Sequence, residues 1–96
     1  MLLKLGVDIS KLEKPIRKIL PIVEKLWLNS ENKEAVITST YEGTHSPGSL
    51  HYANLAIDLR LSSNPSKMLE LLKRSIDSNY DIILETDHFH IEYDPK

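Results

Sequence analysis

The sequence contains no cysteine, which excludes a disulfide framework, a cysteine nucleophile and a cysteine-ligated zinc cluster. It also lacks an excess of one charge, because 12 Lys and Arg face 14 Asp and Glu for a net charge of −2. This balance gives no positive field for binding nucleic acid or an anionic membrane. Any metal site must therefore use His, Asp or Glu side chains.

Long apolar runs are also missing. Near the amino terminus, Lys4 and Asp8 interrupt the leucines, so the apolar stretch is too short for a signal peptide. No other stretch approaches the length of a membrane span. From the sequence we expect a soluble protein that is made in the cytoplasm.

The composition is that of one globular domain. The 96 residues include 41% hydrophobic and 27% charged side chains, which are ordinary proportions for a folded protein. This length fits a single domain rather than two. We therefore predict one domain over residues 1–96.

The first third of the sequence predicts a helix. Apolar residues recur at helical spacing from Leu12 to Trp27, and Ser10 with Glu13 forms a capping-box pattern at its start. Pro15 falls in the first turns, whereas Pro21 predicts a kink or a break.

The remaining pattern predicts an α+β fold. A second helix is expected to begin with Asn64 as its N-cap and Pro65 as its first residue. Thr86 and Asp87 have the character of a hairpin turn. Strands are predicted from short β-branched or alternating segments at residues 35–40, 55–60, 80–85 and 88–93. This order of elements favours a small, mostly antiparallel sheet with two helices.

Three of the four histidines lie in two groups with acidic neighbours. His88 and His90 are separated by one residue, so they share one face of a strand, and Glu92 follows them on that face. A short His-x-His motif alone more often faces solvent than a metal. His51 adds a further imidazole, and Asp58, seven residues later, adds a carboxylate.

A shared site makes a geometric demand on the backbone. Seven steps along a straight strand cover roughly 23 Å, so the side chains of His51 and Asp58 reach one ion only if the chain bends between them. Asn54 tolerates a left-handed backbone, and we therefore predict a turn around residues 52–54.

Two imidazoles and one carboxylate form a known ligand set of catalytic zinc, with the fourth position open. Zinc activates water and polarises a carbonyl group, as amide hydrolysis requires. Asp87 and Glu85, close to the His-x-His, are candidates for transferring the proton. Their alternative roles are a turn cap and an ordinary residue at a strand end.

Two segments resemble the D-alanyl-D-alanine metallopeptidases. Residues 45–58 (HSPGSLHYANLAID) look like the S-x-H-x-x-G-x-A-x-D box of that family, and residues 85–92 (ETDHFHIE) look like its closing H-x-H box. Lysostaphin-type peptidases and the hedgehog signalling domain share this constellation. The resemblance extends over residues 37–93 and implies a small α+β fold of the hedgehog and DD-peptidase type with one zinc ion. It also implies cleavage of peptide bonds beside D-amino acids in bacterial cell-wall peptides, and several members are bacteriophage lytic enzymes.

The resemblance also implies roles for particular residues. The zinc ligands would be His51, Asp58 and His90. Asp87 is the first candidate for the catalytic acid or base, and His88 is the second, near the transition state. Glu85 is the third candidate.

The sequence departs from the family pattern at two places. Asn54 replaces the usual Gly, and residues 41–43 lack the Arg that many relatives carry upstream of the first ligand. Arg60, on the strand face of Asp58, is a candidate for binding a substrate carboxylate, and a surface ion pair is an equally good interpretation. Ser49 is a second candidate for substrate contact, and His45 is expected to have no metal role.

These observations predict a zinc-dependent peptidase, either a carboxypeptidase or an endopeptidase. Its partner would be a peptidoglycan peptide, not nucleic acid, and it would act at the cell wall after lysis or phage release. An alternative is a catalytically inactive, zinc-stabilised binding or structural module, associated with a virion. A nuclease or phosphatase is the third hypothesis, and the absence of a basic run counts against it.

Overall fold

The structure is a computed structural model that describes residues 1–41 and 53–95. The described residues form two helices and five strands: β1 (Leu2–Leu3), α1 (Lys14–Glu31), β2 (Val36–Ser39), β3 (Ala56–Arg60), α2 (Pro65–Ser75), β4 (Tyr80–Leu84) and β5 (His88–Tyr93). The strands form one sheet in the order β1-β2-β3-β5-β4. Only β1 and β2 pair in parallel, and the other neighbours are antiparallel. The predicted α+β class and mostly antiparallel sheet are confirmed.

The two faces of the sheet differ because alternate strand residues point to opposite sides. One face joins the apolar sides of α1 and α2 in a single core. Within it, the Trp27 and Phe89 rings meet edge to face, with centroids 5.7 Å apart and planes at 88°. The other face, called here the open face, carries the side chains of alternate residues: Asp58, Arg60, Asp81, Ile83, His88, His90 and Glu92. The candidate chemistry therefore lies on the side of the sheet that is not packed against the helices.

Helix α1 begins later than the capping box predicts. Its N-cap is Glu13, without a side-chain cap hydrogen bond, whereas the Ser10 backbone N–H binds Oδ1 of Asp8 at 2.8 Å. A start at Ser10 would place Pro15 in the interior of the helix, where its ring and missing N–H are costly. Starting at Lys14 moves Pro15 to the first turn. Pro21 lies inside α1, so of the predicted kink or break the break is excluded, because the helix continues to Glu31.

The signals for α2 and for the hairpin are confirmed. Oδ1 of Asn64 accepts a hydrogen bond from the Lys67 backbone N–H at 3.4 Å, and Pro65 follows as the first helical residue. The backbone N–H of Glu85 donates to the carbonyl of His88 at 2.9 Å, which closes the turn at residues 86–87. Strand β1 was not predicted, because a pair of leucines carries no periodic signal. Neither described helix combines the length and the apolarity of a membrane span.

Candidate metal centre

The two candidate ligands on neighbouring strands face each other directly. Asp58 in β3 and His90 in β5 are register partners. Nδ1 of His90 lies 3.0 Å from Oδ1 of Asp58. Two donors that bind one tetrahedral zinc at 2.0–2.1 Å are roughly 3.3 Å apart, so this spacing is close to that of two ligands of a single ion. The pair is largely shielded, with side-chain exposures of 15% for His90 and 13% for Asp58.

Glu92 holds the other nitrogen of the same imidazole ring. Nε2 of His90 lies 2.7 Å from Oε1 of Glu92, two residues further along β5. A metal-ligating histidine usually donates its second ring N–H to a carboxylate, which fixes the orientation of the ring. The donor set around His90 therefore fits a zinc ion bound through Nδ1, with Glu92 as the positioning residue.

The two carboxylates beside His90 favour its protonated form. A carboxylate only accepts hydrogen bonds, so both contacts are strongest when both ring nitrogens carry a proton. The hydrogen bond with Asp58 raises the pKa of His90 above its ordinary value, burial lowers it, and the bond with Glu92 raises it again. A metal must displace the Nδ1 proton, and its affinity will fall at low pH.

His88 is oriented toward the same carboxylate by its neighbour. Its Nδ1–H donates to Oδ1 of Asp87 at 2.6 Å. Its Nε2 lies 3.7 Å from Oδ1 of Asp58. The side chain of Asp87 is 86% exposed, and its carboxylate forms a hydrogen bond with the His88 ring. The geometry thus makes His88 the group nearer to the candidate centre and Asp87 the group that positions it.

The side chains of the other two candidates, Glu85 and Arg60, make no direct contact with Asp58 or His90 among the described residues. Glu85 is exposed, and its contact with His88 is made by the backbone. Arg60 is the register partner of His88 and is also exposed. The structure therefore brings together Asp58, His88 and His90. Arg60 lies on the same face, opposite His88 in the register of β3 with β5. The Glu85 carboxylate lies at the end of the hairpin.

The predicted turn before β3 is present in the described residues. Asn54 has φ 61°, the left-handed conformation expected of it, and β3 begins at Ala56. The Asn54 carbonyl accepts a hydrogen bond from the Glu13 backbone N–H at 3.1 Å, which ties this turn to the start of α1. The third candidate ligand, His51, lies outside the described residues, as do Ser49 and His45.

An acidic group beside the centre was missed by sequence reasoning. Asp81 of β4 is the register partner of Glu92, and Asp94 follows β5. Carboxylate oxygens of Asp81, Glu92 and Asp94 lie within 4.8 Å of one another, the one such set of three possible ligands in residues 1–41 and 53–95. The signal was the pairing of β4 with β5, which places residues 81 and 92 opposite each other once the turn at residues 86–87 is fixed.

Comparison with known proteins adds no relative: no family model, no curated protein and no solved structure matches this chain. The similarity to the D-alanyl-D-alanine metallopeptidases therefore depends on the two sequence boxes. The geometry of Asp58, His88, His90 and Glu92 is an independent observation on the same residues.

Proposed function

We propose that this protein is a zinc-dependent peptidase that hydrolyses amide bonds next to D-amino acids in bacterial peptidoglycan peptides. The observation that carries the proposal is the direct pairing of Asp58 with His90, with Glu92 on the second nitrogen of the same ring. His90 is partly buried, and a carboxylate on each ring nitrogen is the arrangement in which one carboxylate shares a metal ion with the ring while the other orients the ring.

Asp58 and His90 would hold the ion together with His51, which the sequence boxes assign as the third ligand. When bound, zinc would supply a Lewis acid that polarises a carbonyl group and lowers the pKa of water. Glu92 keeps the His90 ring in one orientation, so that Nδ1 stays directed at Asp58.

His88 is the group best placed to move a proton. Because Asp87 accepts from Nδ1–H, the basic lone pair of the neutral ring is on Nε2, the nitrogen 3.7 Å from Asp58. Nε2 can therefore accept a proton near the candidate centre or stabilise developing charge there. Asp87 and Glu85 are the second and third candidates for proton transfer. They rank below His88 because both carboxylates are exposed at the hairpin.

Arg60 and Ser49 are the residues proposed to bind the substrate. Arg60 lies two residues after Asp58 on the same strand face and offers a planar pair of donors to a carboxylate. Ser49 keeps only the role that the sequence resemblance gives it. Hydrolysis of wall peptides places the site of action at the cell wall after lysis or phage release.

The test is hydrolysis of purified peptidoglycan. We expect the zinc-loaded protein to release new amino groups or free D-alanine, and chelation to abolish this release. The His88→Ala variant should retain zinc but lose at least about 100-fold in rate, as for removal of a general acid or base. The matched control is His45→Ala, for which we expect the wild-type rate.

Two outcomes would contradict the proposed peptidase activity. Zinc binding without any hydrolysis would favour the inactive, zinc-stabilised binding or structural module, which includes a virion component. Release that persists in excess chelator would exclude the metal mechanism altogether.

A further inference from the structure

Strand β2 contains an irregularity beside the candidate metal centre. An unbroken antiparallel ladder that pairs Ile37 with Leu59 would next pair Thr38 with Asp58. The structure instead pairs Ser39 with Asp58, so the register shifts by one residue between Ile37 and Ser39. This shift is that of a β-bulge, in which two residues of one strand lie opposite one residue of its neighbour.

The burial of β2 and of the residue that follows it shows which side chains the bulge redirects. Ile37 and Thr40 are both fully buried, whereas Thr38 and Ser39 between them are partly exposed. Strict alternation from Ile37 would direct Ser39 into the core and Thr40 away from it. The bulge reverses both assignments, so Ser39 lies with Asp58 on the side of the open face.

Both imidazoles of β5 approach the same oxygen of Asp58. Oδ1 lies 3.0 Å from Nδ1 of His90 and 3.7 Å from Nε2 of His88. In the sheet, β3 lies between β5 and β2, so Ser39 flanks Asp58 from the side opposite to the two histidines. A donor on β2 is therefore best placed for the second carboxylate oxygen, Oδ2.

The spacing of this cross-strand pair suits one hydrogen bond. Side chains directly opposite each other on antiparallel strands have β-carbons roughly 4.5–5.5 Å apart. A serine hydroxyl can bind a carboxylate across that interval at about 2.7 Å. Carboxylates that ligate metals in proteins are themselves hydrogen-bonded, and a donor on one oxygen leaves the other for the ion.

We propose that Ser39 is a positioning residue of the candidate metal centre, whose hydroxyl donates to Oδ2 of Asp58 and keeps Oδ1 directed at the ion and at His90. The inference rests on the proposed function for the presence of zinc, but it does not depend on which peptide bond is cut. The extra residue in β2 is then what turns this hydroxyl from the core to the metal-binding face.

The zinc affinity of matched hydroxyl variants tests this role. Ser39→Ala removes the hydroxyl, Ser39→Thr keeps it, and Thr38→Val removes the neighbouring hydroxyl of the bulge at nearly constant volume. We expect Ser39→Ala to lower zinc affinity about tenfold, the lower end of the range for groups that orient metal ligands. Ser39→Thr and Thr38→Val should stay within about threefold of the wild-type affinity.

Cobalt substitution reports the geometry of the centre as well as its affinity. Co²⁺ bound by four ligands absorbs visible light more strongly than Co²⁺ bound by five. The wild type and Ser39→Thr should give the stronger band, because Asp58 binds through one oxygen. Ser39→Ala should give the weaker band, because both oxygens of Asp58 can then bind. Urea unfolding without metal is the control, and Ser39→Ala should keep the wild-type midpoint, because a partly exposed hydroxyl adds little to packing.

Equal zinc affinity and equal cobalt spectra in the wild type and Ser39→Ala would overturn the inference even if the protein hydrolyses peptidoglycan. A larger loss of affinity in Thr38→Val than in Ser39→Ala would also overturn it, because the donor would then be the neighbouring hydroxyl. The expected loss in Ser39→Ala, in a protein that binds zinc and hydrolyses nothing, would support the inference and contradict the peptidase activity. A wild type that binds neither zinc nor cobalt would contradict both.

Discussion

The two faces of β5 have opposite characters, although they alternate residue by residue along one strand. Phe89 and Ile91 are fully buried in the core, whereas His88, His90 and Glu92 lie on the open face. The core face gives the sheet its stability through burial. The open face forms a chain of hydrogen bonds from Asp58 through His90 to Glu92. A strand with period 2 thus separates stability from chemistry, and substitutions on the two faces should have different effects.

The largest effect on stability is expected from Phe89. Phe89→Ala removes a fully buried ring that packs edge to face on Trp27 and should lower the free energy of unfolding by about 3–5 kcal/mol. His88→Ala, one residue earlier on the open face, should cost less than about 1 kcal/mol. Urea unfolding of both variants measures the difference. Similar losses would mean that the faces are not separated as described.

The next effect concerns metal affinity rather than stability. Glu92→Gln weakens the bond that holds Nε2 of His90 and should lower zinc affinity about 10- to 100-fold, as for other carboxylates behind a ligating histidine. Competition titration with a chromogenic chelator provides the measurement. Glu70→Gln, an exposed charge change on α2, is the control and should leave the affinity unaltered.

A smaller effect is expected at the turn that leads into the open face. Asn54→Ala places a β-carbon on a left-handed backbone and should destabilise the fold by about 1 kcal/mol relative to Asn54→Gly. Both variants remove the side-chain oxygen of Asn54, which is buried and accepts no hydrogen bond from residues 1–41 and 53–95, so their difference reports the backbone conformation alone. Thermal unfolding of the pair is sufficient, and equal midpoints would argue against the left-handed turn.

The smallest effect is a pH dependence at the contact between Glu31 of α1 and Ser63. The hydrogen bonds from Ser63 lower the pKa of Glu31 below its ordinary value. A lowered pKa in the folded state gives stability that is present above the ordinary value, about 4.5, and is lost as the pH falls through the lowered value. Below about pH 4.5, wild-type stability should therefore decline more steeply than that of Glu31→Gln, as measured by urea unfolding between pH 2 and 6. Parallel curves would show that the Glu31–Ser63 contact does not form in solution.

The sequence predicted the elements whose signals are local. The alternation of residues 88–93 placed His88 and His90 on one face, and Asn64 with Pro65 marked the start of α2. The capping box failed because Pro15, five residues after Ser10, sets where the helix can begin. That conflict between two local signals is settled by the backbone geometry of proline.

The part of the site that sequence reasoning missed depends on pairing between distant segments. Asp58 and His90 are the ligands that the sequence resemblance predicts, and the register of β3 with β5 places them opposite each other. Asp81 was missed because it meets Glu92 only through the register of β4 with β5. Local pattern determines which face a residue occupies, whereas sheet order determines which residues meet.

The central claim is that Asp58 and His90, with His51, bind one zinc ion. Its most direct test is the zinc content of the purified, zinc-equilibrated protein by elemental mass spectrometry, compared with His51→Ala, Asp58→Ala, His90→Ala and the control His45→Ala. We predict about one zinc per chain in the wild type and the control, and almost none in the three ligand variants. Equal zinc content in all five proteins would contradict the account.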